Sequence, residues 1–374
     1  MTFFNSKMAL LVPASIITGL LSGCLSSTSS SSSTSNPALD KVVQEMVDEH
    51  IMPATQSLSQ NTQSLFNKSD AYCTDATFSE SELTSLQNQW VATQNAWYAI
   101  LPFNFGPLET PDDLTTPAFW YIDSYRVRGD NEIAGIRTDI TTLLADSSGI
   151  TNGQFANKTY NKVGLLALEV LLFERSDNQS NVLADINSEF SNTARKCQLL
   201  TGQAFELNRR VQIISDAWSS DYNDTSSSYR DLLINHQLEA LTDDDGSTAI
   251  TKITVAIQNY YDYLNKREVA DEVAQLSSSI WAALTSSIES TNNALNGGYI
   301  NSTASNSILQ LMIDYGNNQD VETVRGNIQD FKQSITDEDK GAMKIAAATI
   351  DGNMKREIPD ALGISLGINF SDGD

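Results

Sequence analysis

The chain of 374 residues is poor in histidine, cysteine and positive charge. Its two histidines, His50 and His236, form no H-E-x-x-H pair, which excludes a zincin-type peptidase on motif grounds. No C-x-x-C pair and no P-loop glycine pattern occur. Twenty-three Lys and Arg stand against 47 Asp and Glu, a net charge of −24. That balance excludes nucleic acid and charge-driven binding to an anionic lipid surface, and it draws in cations. Strand-like alternation is nearly absent before the C-terminus. The one G-x-S-x-G match, "GISLG" at 363–367, lacks a strand–turn–helix setting and a nearby histidine, so it is no nucleophile elbow.

What is present begins with an export signal. "MTFFNSKMALLVPASIITGLLSGC" has a short n-region with Lys7, then an apolar stretch from Met8 to Leu21. Its ending "LSGC" resembles a bacterial lipobox, which implies cleavage after residue 23 and lipidation of Cys24. Residues 24–37 are a serine-rich tether with nothing to bury. A dozen such residues reach on the order of 20 Å. The expected location is the bacterial cell envelope, lipid-anchored, facing the periplasm or the cell surface. In an exported chain the two remaining cysteines, Cys73 and Cys197, read as a disulfide.

Helical spacing dominates the body. Leu83, Leu86, Trp90, Trp97 and Leu101 share a face, as do Ile136, Ile140 and Leu143. The clearest seam runs Ala194, Cys197, Leu200, Ala204, Leu207, Val211, Ile214, Trp218. Further seams cover 250–264, then Val269, Val273, Leu276, Ile280, Leu284 and Ile288, then 321–331 and 343–354. The expected fold is all-α, two helical-bundle domains with a cleft between them. The polar stretch "SSDYNDTSSSYR" at 219–230 divides them, giving bundles over 38–220 and 225–374. In "ALGISLGINFSDGD" apolar residues alternate with Gly, Ser and Asn, which predicts an extended tail after Pro359, packed by one face.

Two segments could form a site without forming a regular helix pattern. "LPFNFGPLETPDDLTTPAFW" at 101–120 is too rich in proline for a helix and too aromatic to lie in water. It reads either as a site wall or as a plug at the end of a bundle. His236 and Glu239, three residues apart, would share a helix face and could both reach one metal, but a lone H-x-x-E carries little information. The acidic "TDDDG" at 242–246 lacks the spacing of a calcium loop.

The most informative stretch is "VGLLALEVLLF", 163–173. Glu169 has Leu165, Leu166, Leu172 and Phe173 as its same-face neighbours. A helix apolar all round is a buried helix. A buried carboxylate needs a donor, a cation or a proton. Glu169 is therefore a structural carboxylate held by a donor, a binding residue in a cleft, or a remnant metal ligand.

This stretch resembles the G-x-H-x-x-E motif of the imelysin-like family, with Gly164 and Glu169 matching and Leu166 at the histidine position. "NAWYAILPFNFGPL" is similar to the family's tryptophan helix and F-G-P segment, at Trp97, Phe105, Gly106 and Pro107. "FWYID", containing Trp120, and the L-G-x-x-x-G-I-N…D-G-D ending match in order. The resemblance implies two helical bundles on an envelope lipoprotein, with the motif near their interface. Gly164, Leu166, Glu169, Trp97, Phe105, Gly106, Pro107 and Trp120 are then the expected cleft residues. The family takes its name from an insulin-cleaving membrane protease and is classed with metallopeptidases, while other members are associated with iron uptake. Leu166 has no lone pair, so the pair of metal ligands that His and Glu would supply is broken. The expectation is a non-enzymatic envelope lipoprotein that binds iron, another divalent cation or an iron-bearing ligand, alongside iron-uptake partner proteins in the envelope. The alternatives are a divergent metallopeptidase and a structural or partner-binding protein.

Overall fold

Among the described residues, the first helix starts at the end of the serine tether. The Asn36 side chain accepts the amides of Ala38 and Leu39, and Pro37 opens α1 (Pro37–Met46). The computed structural model describes residues 36–366 except 76, 110–116, 126–131, 147, 149, 152–154, 157–161, 242–245 and 298–305. Cys24 and the tail from Gly367 onward lie outside these residues. So does most of the acidic 242–246 turn.

After α1 a single π turn (Val47–Ile51) leads into α2 (Met52–Thr74). Pro53 has no amide to give the ladder, and the Met52 N–H reaches back to the Val47 carbonyl. Next come α3 (Glu80–Ile100), α4 (Ala118–Ile122), α5 (Glu132–Ala145), α6 (Leu165–Phe173), α7 (Leu183–Asn192) and α8 (Ala194–Ala217). The second half holds α9 (Tyr229–Ile234), α10 (Ala249–Lys266), α11 (Val269–Glu272), α12 (Ile280–Asn296) and α13 (Ile308–Asp314). It ends with α14 (Asn318–Thr336), α15 (Lys340–Lys355) and α16 (Glu357–Leu362). No strand occurs among the described residues.

The expected class holds: the chain is all-α. In the first half α2 packs on α3 and α8, and in the second α15 packs on α10 and α14. α3 also packs on α12, so the halves share a boundary rather than a linker. The described residues from Asn36 onward group into one compact unit. The polar 219–230 stretch runs from just after α8 into the first turn of α9, and its Tyr222 and Tyr229 are buried in the main core. Cys73 on α2 and Cys197 on α8 are disulfide-bonded, Cα atoms 5.5 Å apart.

Three sequence expectations need correction. The seam 269–288 is not one helix: it breaks between Glu272 and Ile280, where Ala274 and Ser278 take left-handed conformations (φ 54 each). His236 and Glu239 do not share a helix face. His236 has φ 56 beyond the end of α9, and its Nε2 lies 3.0 Å from Asp40. Pro359 does not start the tail, because α16 runs through it to Leu362 and stops at a left-handed Gly363. Beyond it, Ile364 packs on the core while Gly363 and Ser365 are exposed, which is the one-faced pattern that the alternation implies.

α6 explains its own composition. Leu165, Leu168 and Leu172 belong to the main core, while Leu166, Ala167, Val170 and Leu171 belong to a second cluster with Ile136, Ile140 and Leu199. A helix wedged between two cores has no side left for water.

Candidate functional site

Gly164 places α6. Its φ of 90 suits glycine alone, and a Cβ there would stand 2.2 Å from the Tyr121 carbonyl oxygen and 2.8 Å from that of Ile122. α3 then holds both ends of α6. The Trp90 indole N–H donates to the Leu165 carbonyl at 3.0 Å. Gln87 Nε2 donates to the Leu172 carbonyl at 2.8 Å, one of the last-turn acceptors that the helix itself leaves open.

Glu169 projects from this fixed helix with 1% of its surface exposed. Its Oε1 accepts the Ser277 amide and the Ser277 hydroxyl, both at 2.9 Å. The Ser277 hydroxyl lies 2.9 Å from that of Ser279, which donates to Gln94 Oε1 at 3.2 Å. The break in the 269–288 seam is thus the segment that meets the carboxylate. Burial pushes the Glu169 carboxyl up to about 7, against the Ser277 and Leu276 donors, which pull it down. The Glu174 charge adds a smaller upward push. No lysine or arginine ion pair reaches Glu169 among the described residues.

A small pocket of about 20 Å³ opens beside this carboxylate, room for roughly one water. Asp123, Glu169 and Glu272 line it, together with Tyr98, Tyr125 and Gln94, and its apolar wall is Trp90, Leu165, Leu166, Val273 and Ala274. Asp123 Oδ2 accepts the Trp97 indole N–H at 3.1 Å. Tyr98 is 1% exposed, and its hydroxyl has no hydrogen-bond partner among the described residues. Burial raises that phenol far above its ordinary value, so it stays neutral.

The expected cleft residues divide into two groups. Leu166 and Glu169 line the pocket, Trp97 stands behind Asp123, and Gly164 seats the helix. Phe105, Gly106 and Pro107 lie elsewhere: Phe105 is edge-on to Trp218 at 5.9 Å, and Gly106 lets the Tyr229 ring pass where a Cβ would be 2.3 Å away. Pro107 is buried in the 3-10 turn Gly106–Leu108. Trp120 on α4 is half-buried against Phe119, away from the pocket lining. Tyr98 and Asp123 lie inside the matching segments NAWYAILPFNFGPL and FWYID without being singled out there, and Ser277 and Glu272 belong to no motif. The serine triplet 277–279 inside an apolar seam is the one available signal of the break.

The site does not fit a catalytic zinc. Leu166 offers no ligand atom, and the described residues hold no group of three or more His, Cys, Asp or Glu able to grip a metal ion.

An all-helical protein with an acceptor-lined pocket at a buried glutamate is thus the class that fold and site define. The family model for Imelysin (Peptidase_M75) matches residues 51–364, and the chain belongs to the imelysin family. It is similar in fold to an imelysin-like protein from Psychrobacter arcticum 273-4, with a TM-score of 0.66 and 16% identity over 89% of this chain and 98% of that one. It is also similar to a Parabacteroides distasonis ATCC 8503 protein described as an iron-regulated protein A precursor, with a TM-score of 0.57 and 15% identity over 89% and 97%. No curated protein matches the chain significantly.

Proposed function

We propose that this chain is a non-enzymatic binding protein of the bacterial envelope with a role in iron acquisition, and that its ligand engages the pocket beside Glu169. The observation that carries the reading is Glu169 itself. It is a buried carboxylate that no cationic side chain pairs among the described residues, and it faces a pocket rather than closed packing. A cation entering there would offset the cost of burying its charge. The iron link rests on family membership and on the neighbour described as iron-regulated. The donor set favours an iron-bearing ligand over the bare ion, because the described residues lack the several converging ligands that a metal needs.

In this reading two bundles, 38–220 and 225–374, meet at the pocket. The first brings α3 and α6, and the second brings the 272–279 segment. The signal sequence, Cys24 and the serine tether support lipid anchoring of the body. Among the described residues no helix is long and apolar enough to cross a membrane.

The test is titration of the purified protein with a panel of ferric chelates and with free iron. We expect micromolar or tighter binding of a chelate, weakened at least tenfold by Glu169→Gln. No binding across the panel would overturn the reading. Chelator-sensitive cleavage of unfolded peptides would replace it with a peptidase. Retention of Cys24→Ser in the membrane fraction would refute the anchor.

A further inference from the structure

We infer that the pocket beside Glu169 receives a primary ammonium group, the cationic end of its ligand. The inference rests on the pocket being the ligand site, and it adds the chemistry of the group that enters. Carboxylates accept hydrogen bonds and cannot donate them when ionised, and an ammonium donates three and accepts none. Asp123, Glu169 and Glu272 give the lining its acceptors. A phenol oxygen can accept as well as donate, and that of Tyr98 is buried in the same lining without a partner.

Size narrows the choice. About 20 Å³ holds a group the size of water, which an ammonium is and a planar guanidinium is not. A phosphate or carboxylate ligand is excluded by the three acids. A multivalent metal ion is disfavoured because, among the described residues, the three acids line the pocket without forming a group that could hold a metal ion, whereas an ammonium needs only the Glu169 carboxylate and the Tyr98 oxygen beside it. The apolar wall of Leu165, Leu166 and Val273 suits an alkyl stem behind the charged head. Leu166 therefore has a positive role: a leucine at this position supplies stem contact, where an imidazole would compete for Glu169.

The Ser277 amide, which donates to Glu169, is the natural reporter. The 15N-labelled full chain at pH 8 is titrated with n-butylammonium chloride, with tetramethylammonium chloride as the control at equal ionic strength. We expect a saturable movement of the Ser277 signal with butylammonium alone, weakened at least tenfold in Glu169→Gln. Leu166→Lys, which tethers an amine one helical turn from Glu169, should abolish it. A ferric trihydroxamate bearing a free amine should bind at least tenfold tighter than its N-acetylated form. No saturable movement, equal movement in Glu169→Gln, or an equal response to tetramethylammonium overturns the inference. If both hydroxamates bind equally and lose affinity in Glu169→Gln, the ammonium group is wrong and the binding site stands. If butylammonium binds and no iron chelate does, the pocket chemistry stands and the iron role falls.

Discussion

Two buried glutamates, one inside α6 and one just past its end, are treated in opposite ways. Glu174, the extended residue that caps α6, is 4% exposed and meets Arg137 through two hydrogen bonds of 2.7 Å. Its carbonyl also accepts the Lys196 ammonium at 3.0 Å, and Lys196, wholly buried, reaches Glu189 at 2.5 Å. Glu169, one and a half turns earlier on α6, meets a backbone amide and a hydroxyl and, among the described residues, no cation. The first arrangement closes every charge within the fold. The second leaves a carboxylate whose charge burial penalises, beside a pocket. Paired buried charge reads as architecture, and unpaired buried charge next to a pocket reads as a place for a ligand.

The largest effect should come from the residue that sets α6 in place. Gly164→Ala drives a Cβ into the Tyr121 and Ile122 carbonyls, backbone atoms that cannot swing away. We expect a loss of more than about 4 kcal/mol or failure to fold, read by chemical denaturation. A stable Gly164→Ala protein would show that α6 can shift, and the contrast between its two glutamates would lose its fixed frame.

The paired end comes next. Lys196→Ala strips the buried cation from Glu189 and from the Glu174 carbonyl, and should cost about 3–5 kcal/mol at neutral pH. A cost under about 1 kcal/mol would mean that water enters and replaces the ammonium.

Glu169→Gln should do the reverse, and only at high pH. The folded carboxyl sits at about 7 against an ordinary value of 4.5. The folded state therefore holds the proton more tightly than the unfolded state. Stability from this group is complete below about 4.5 and declines as pH rises to about 7. Glutamine keeps an acceptor for Ser277 without the charge. We expect the variant to match the parent at pH 4.5 and to exceed it at pH 8 by about 3 kcal/mol at most. Equal stability at both values would place Glu169 in the same class as Glu174. Smallest is Ser277→Ala, which removes one donor and keeps the amide. It should cost about 1 kcal/mol and push the Glu169 carboxyl further up.

The legible parts of the sequence were those where one apolar face repeats. The α8 seam, the burial of α6 and the Cys73–Cys197 bond all stand as expected. α2 left no comparable trace because its inward face is filled by Thr55, Ser59, Thr62 and Ser69 beside Leu58, Leu65 and Tyr72. The Thr62 and Ser69 hydroxyls bond back to carbonyls of their own helix and that of Thr55 to the Ile51 carbonyl of the preceding π turn, so polar residues sit inside at little cost. The break at 273–279 hid inside a pattern of correct spacing. Val269, Val273, Leu276 and Ile280 keep helical intervals, but a helix there could not offer its Ser277 amide to Glu169. Glu169 itself was legible because a lone acid in an apolar run demands a partner. The partners were not, since Ser277 lies 108 residues away in sequence and Asp123 stood in FWYID with nothing to link it to Glu169.

The most direct measurement is the titration of the Glu169 carboxyl by 13C NMR of the full chain, its signal assigned by its loss in Glu169→Gln, with and without n-butylammonium. We expect a midpoint near 7 in the free protein, falling below about 6 when the cation is bound. A midpoint near 4.5 in the free protein, or one that the cation leaves unmoved, would contradict Glu169 as an unpaired carboxylate that receives a ligand.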